Sequence, residues 1–126
     1  HGKAIAAFLP EKELEDLMKE KKLYFYGDPA KFDKKKVMRD IERCRVDWFA
    51  DDLEETAPGL NAMAAPVLGP NNRPIGYIVL LGLASAEAAR QHGSLVAEAG
   101  KALSRKLGAS VDVENMKHNK AMRRYE

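Results

Sequence analysis

The spacing of apolar residues divides the chain into a helical front half, a strand pair and a long closing helix. Residues 3–9 are a short apolar stretch ended by Pro10, which also suits the first position of the next helix. That helix is predicted over 11–22. Leu14, Leu17 and Met18 recur there at helical spacing, and Glu11, Glu13, Glu15 and Asp16 sit near its positive end. Gly27, Asp28 and Pro29 punctuate a loop over 24–32. Asp33 is placed to cap a helix over 34–45. Its buried stripe is Val37, Met38, Ile41 and Cys44, while Lys34, Lys35, Lys36, Arg39, Asp40, Glu42 and Arg43 face solvent.

Residues 46–50 are apolar and aromatic, a candidate strand. Residues 61–68 and 73–83 are two more, joined by Gly69-Pro70-Asn71-Asn72, a hairpin signal whose asparagines tolerate left-handed backbone. Pro66 and Pro74 mark strand ends or a sheet edge. Ser85 is read as the cap of a helix running to about Leu107. Leu95, Ala99, Ala102, Leu103 and Leu107 form its apolar stripe, and Gly108 is its stop. Residues 111–126 are polar, basic at their end and poor in large aliphatic side chains, and read as a loosely ordered tail after a domain over 1–110. Consecutive strands flanked by segregated helices predict an α+β fold with an antiparallel sheet packed against helices. Three strands are few for that task, and His1-Gly2-Lys3 opens into helix-like sequence without a cap. The expectation is a chain cut from something longer.

Composition narrows the function classes. A chain of 126 residues holds one domain. A net charge of +2 is too small to imply nucleic-acid binding by itself, and the bases Lys117, Lys120, Arg123 and Arg124 come with no recognition-helix pattern. Cys44 is the only cysteine, which excludes an intrachain disulfide or a cysteine-cluster metal site and fits a reducing, cytoplasmic setting. The longest apolar run, 75–84, contains Gly76 and Gly82 and is too short to span a membrane. No signal-peptide pattern is present.

Candidate chemistry concentrates between Phe49 and Ser85. Asp51, Asp52, Glu54 and Glu55 lie beside an apolar strand pair. Such a cluster is a solvated loop, a carboxylate at a pocket mouth, or an acid–base pair. Neighbouring strand residues point to opposite sides, so spacing alone does not build a catalytic pair. His1, His92 and His118 fall in different elements with no ligand spacing. Cys44 lies on a buried stripe, and Ser85, Ser94, Ser104 and Ser110 lack a nucleophile-elbow context. No dinucleotide or P-loop glycine pattern occurs, so neither cofactor nor metal is expected, and an enzyme is not the leading expectation.

Three blocks carry a family resemblance. G-K-A-I-A-A-F-L-P (2–10) resembles a G-K-A-x-L-A-x-L helix start. F-A-D-D-L-E-E-T-A-P-G-L-N-A-M-A-A-P-V (49–67) resembles G-Y-A-x-D-x-E-E followed by G-x-x-C-x-A-A-P-V. The hairpin and strand to Gly82, then L-S-R-K-L-G (103–108), follow in the same order. Together they resemble the C-terminal effector-binding domain of IclR-family transcription regulators over most of residues 2–108.

The resemblance implies a GAF-like or profilin-like α+β fold, a small-molecule pocket against the sheet, and homo-oligomers, dimers or tetramers. It also implies that DNA is contacted only through a helix-turn-helix domain absent from this chain, as are the opening strands of the effector domain. Asp52 matches the family's pocket aspartate, Ala62 a position often held by cysteine, and Val79 and Leu81 positions held in some members by carboxylate-binding serines. Gly2 matches a helix start that offers N–H groups to anions. Trp48 stands where glycine is usual, and Leu83 where proline is usual.

Replacing polar pocket positions by Ala62, Val79 and Leu81 changes the expected ligand. Burying a small carboxylate without donors costs several kcal/mol, so an apolar or aromatic effector is expected, with Asp52 holding its polar end. The function expected is effector sensing and oligomerisation, with allosteric control of an attached DNA reader. One rival is a pure oligomerisation module whose pocket is filled by Met63, Val79 and Leu81. The other is a small enzyme using Asp52 and Glu54.

Overall fold

The computed structural model describes residues 1–20, 30, 32–54, 57–82 and 85–111. Among these residues five α-helices and three strands follow in the order α1 (Gly2–Ala6), α2 (Glu11–Met18), α3 (Lys34–Asp47), β1 (Ala50–Leu53), β2 (Asn61–Leu68), β3 (Pro74–Gly82), α4 (Ala86–Arg90) and α5 (Gly93–Lys106). The three strands form one antiparallel sheet in the order β1-β2-β3. This is the α+β architecture that the element order predicts.

Local signals account for most boundaries. Pro10 lies one residue before the helix it was expected to begin, with ψ 144, and α2 stops at Met18 rather than at 22. Asp33 accepts hydrogen bonds from the N–H groups of Lys35 and Lys36, holding the start of α3. At its other end α3 runs two residues past the expected stop, because Trp48 turns the chain in the left-handed region (φ 65) and caps it there. The strand expected over 46–50 therefore begins only at Ala50. An apolar run as short as Val46–Ala50 does not distinguish a helix end from a strand.

The β2–β3 hairpin forms as expected. Asn71 and Asn72 both adopt positive φ (65 and 57), and the Gly69 N–H donates to the Arg73 carbonyl at 2.9 Å. Behind it the single long helix is in fact two. Ser85 accepts from the Ala88 N–H to cap α4, and the chain breaks at Gln91–His92 before α5 begins at Gly93. The ring of Phe49 lies where a Gly93 side chain would be, so glycine lets α5 start against the sheet. Gly108 ends α5 as expected, with φ 97 and the Ala109 N–H donating back to the Ser104 carbonyl.

The sheet has helices on both faces. Ala64 packs with Ala4, Val37, Ile41 and Cys44 of α1 and α3, whereas Met63 and Ala65 pack with Ala89 and Val96 of α4 and α5. The face of α5 differs from expectation. Gly93, Val96, Ala97, Gly100, Lys101 and Ser104 are buried, while Leu95, Leu103 and Leu107 are exposed. Asp40, expected in solvent, is nearly buried, with its carboxylate 3.1 Å from the Lys3 ammonium. Val111 is also buried, in the cluster of Trp48 and Leu68, and the rest of the expected tail lies outside the described residues.

Candidate functional site

Alternation along the strands decides which side chains meet. Ala62 and Ala64 point to the α1 side of β2, and the same face of β3 carries Tyr77, Val79 and Leu81. With α1 lying above them, they enclose an open cavity of about 680 Å³, within the range of small-molecule sites. Gly2, Asp52, Ala62, Val79 and Leu81 all line it. Met63 does not. One residue on from Ala62, it points through the sheet to the α4 and α5 side and is 1% exposed.

Several walls were not singled out from sequence. Ile5 of α1, Leu9 just after it, Leu17 of α2, Leu60 before β2, and Tyr77 complete the apolar lining. The signal was present for Tyr77, which shares the two-residue period of Val79 and Leu81. For Leu17 and Leu60 nothing local separates a cavity wall from a core residue. The His1 ring stacks on Tyr77 at 4.6 Å and 14°. Val79 and Leu81 are 45% and 60% exposed, so they bound the space rather than fill it.

The polar groups are few and placed at one side. Asp51 and Asp52 come from β1, paired with Met63 and Ala62 of β2. Burial pushes the His1 α-amino group below its ordinary pKa, Lys3 adds to this, and the Asp52 carboxylate opposes it. Lys3 also lines the space, but its ammonium is engaged by Asp40 at 3.1 Å and by the Asp51 carbonyl at 2.8 Å. Burial acts to raise the Asp40 pKa, yet Lys3 and then Lys36 outweigh it and hold that carboxyl below its ordinary value.

Glu54 is not brought into the cavity with Asp52. Glu54 has positive φ (60), and its side chain accepts the Gly59 N–H at 2.7 Å, tying the β1–β2 connection. Glu54 does not line the cavity that Asp52 lines, and Glu55 lies outside the described residues. Cys44 is buried on α3, and that burial, helped by Asp47, pushes its thiol up to about 12, so it is not a nucleophile at neutral pH. Among the described residues no group of three His, Cys, Asp or Glu side chains could hold a metal ion, and no helix is long and apolar enough to cross a membrane.

An antiparallel sheet between two helical layers, with a mostly apolar cavity walled by the first helix and an outer strand, defines a pocketed α+β domain. The chain belongs to the family described as bacterial transcriptional regulator IclR C-terminal, whose model matches residues 1–109. Among solved structures it is similar to the IclR of Thermotoga maritima (TM-score 0.73, 29% identity, covering 86% of this chain and 45% of that one). It is also similar to the C-terminal domain of a putative transcriptional regulator from Vibrio cholerae (TM-score 0.58, 27% identity, covering 80% and 59%). Pseudomonas aeruginosa HmgR shares the fold (TM-score 0.65, 24% identity, covering 88% and 44%). The chain spans less than half the length of the Thermotoga and Pseudomonas proteins. No protein of curated function matches it significantly.

Proposed function

We propose that the cavity between α1 and β3 is the effector site of a transcription regulator, and that its ligand is an apolar or aromatic body carrying a hydrogen-bond donor. The observation that carries this reading is the division of the walls. Ile5, Leu9, Ala62, Val79 and Leu81 form the bulk, while Asp52 stands at one side among few polar groups. A carboxylate at that place accepts from an amine or hydroxyl and repels an anion. The Lys3 ammonium is engaged elsewhere and does not compensate a small acid.

The reading extends to regulation. A ligand that binds one arrangement of self-associated effector domains better than another shifts the population, and with it the attached DNA-binding domains. No chemistry on the ligand is needed for this, and Glu54, which the rival enzyme reading requires, accepts the Gly59 N–H and does not line the cavity. The open space beside Val79 and Leu81 counts against a vestigial, self-filled pocket.

Isothermal titration of the whole chain with matched aromatic amines, alcohols and acids, beside glyoxylate, tests the proposal. The amine or alcohol is expected to bind, and Asp52→Ala to weaken it by about tenfold to a hundredfold, the worth of a hydrogen bond to a charged group. Tight glyoxylate binding, or binding indifferent to Asp52→Ala, sinks the ligand class.

A further inference from the structure

α2 walls the cavity from one side through Leu17, yet little of the helix is buried. Leu14 is its buried residue, and Leu17 and Met18 pack only partly against the core under α1 and α3. A short helix held at one buried side chain can roll about it. Rolling α2 would carry Leu17 toward the ligand space or away from it. Glu13, one turn before Leu17 and on the same helix face, supplies an off-axis contact that fixes the roll. The Arg73 Nη2 stands 3.0 Å from both oxygens of its carboxylate. Neither residue lines the cavity.

We propose that Glu13 and Arg73 are positioning residues of the effector site: their ion pair sets where Leu17 stands, and so how long an aromatic body the cavity accepts. The proposal rests on the cavity being that site. Arg73 is a fixed point to pull against. Its carbonyl accepts the Gly69 N–H at 2.9 Å, closing the hairpin. The neighbouring Asn72 side chain accepts the Ser110 N–H at 2.8 Å, which ties the hairpin to the chain beyond α5. Arg73 also directly precedes β3, whose Tyr77, Val79 and Leu81 form a second wall. The pair thus spans two walls of the cavity, α2 and β3, and fixes their separation.

The strength of the pair suits adjustment rather than folding. Both side chains are half exposed, and exposed pairs individually shift an equilibrium by about fivefold at most. Leu14 stays buried without it, so α2 keeps its place in the fold while Leu17 loses its exact position. Salt screens such a pair, because the Debye length falls from about 10 Å at 0.1 M to about 3 Å at 1 M. The placement of Leu17 therefore responds to ionic strength, and the affinity of an uncharged ligand responds with it. Glu13→Gln removes that response.

Thiol labelling of the full 126-residue chain tests the placement without ligand. Leu17→Cys puts a reporter on the α2 wall and Leu60→Cys one on the wall before β2, both at partly buried positions. Cys44, buried, does not compete. Adding Glu13→Gln or Arg73→Gln is expected to speed iodoacetamide labelling of the Leu17→Cys chain by about two- to fivefold and to leave the Leu60→Cys chain unchanged. The reversed pair, Glu13→Arg with Arg73→Glu, is expected to restore slow labelling, which a general loosening of the fold cannot do. A Leu17→Cys rate that ignores Glu13→Gln, an equal acceleration at Leu60→Cys, or no recovery in the reversed pair overturns the proposal. Calorimetric titration with benzyl alcohol, 2-phenylethanol and 4-phenylbutan-1-ol then reads the site itself. Glu13→Gln is expected to shift preference toward the longest alcohol by about two- to fivefold, and an unshifted order of affinities also overturns the proposal. If none of the alcohols binds the native chain, the effector reading fails, whereas the labelling contrast still decides whether the pair positions Leu17.

Discussion

Trp48 shows how one residue reconciles conflicting demands. It ends α3 in left-handed backbone, with φ 65 and ψ 21, and donates its N–H to the Cys44 carbonyl at 2.8 Å. A non-glycine residue there costs about 1–2 kcal/mol. The side chain offsets that cost. It is 4% exposed, its ring meets Phe8 at 4.7 Å, and the Lys101 ammonium stands 5.8 Å from its centroid. Removing a buried aromatic costs about 3–5 kcal/mol, more than the backbone relief returns. Trp48→Gly is therefore expected to lower stability by about 2 kcal/mol in urea denaturation, despite restoring the residue usual in the family. A variant as stable as the native chain would show that backbone strain, not packing, dominates here.

At the scale of elements, helix type and period were legible in the sequence, but the phase of α5 was not. Its leucines Leu95, Leu103 and Leu107 form the more hydrophobic stripe, yet the helix buries Gly93, Ala97, Gly100 and Ser104. Close approach to β2 selects small side chains over greasy ones. A Cβ on Gly100 would stand 2.8 Å from both the Ala65 Cβ and the Pro66 carbonyl oxygen. Ser104 Oγ, fully buried, accepts the Leu68 N–H at 2.8 Å and donates to the Gly100 carbonyl at 2.6 Å. Hydrophobicity reports which side chains prefer to leave water, not how near two backbones come. Gly100→Ala is accordingly expected to destabilise the domain by about 1–3 kcal/mol, although alanine is the better helix former. A gain in melting temperature would contradict the close contact. The same limit governs the cavity. Of the positions named from the family motif, Gly2, Asp52, Ala62, Val79 and Leu81 line the cavity, whereas Met63, one step along the alternation, points to the other face of the sheet. Leu17 and Leu60 required the tertiary arrangement that brings α2 and the β1–β2 connection to the cavity.

For the whole molecule, one ion-paired group joins three elements that frame the cavity. Lys3 of α1 reaches Asp40 of α3 and the backbone of Asp51 in β1, and its side chain is only 7% exposed. Lys36 also contacts Asp40, at 3.4 Å, and Arg43 stands at 3.8 Å. Breaking such a nearly buried pair from one side costs about 3 kcal/mol, because Lys3 stays charged without its counter-ion. The pH dependence follows from the depressed Asp40 pKa. The folded state holds the carboxylate more readily than the unfolded chain does. Its contribution is fully present above the unfolded value of 3.8 and is lost as pH falls through the lower folded value. Asp40→Asn should therefore be less stable than the native chain at neutral pH, with the gap narrowing as both are acidified below that value. Urea midpoints at pH 7 and in the acid range measure it. A gap that stays constant across the range would mean that the asparagine variant fails by packing alone, and that the α1–α3–β1 junction is not held by charge.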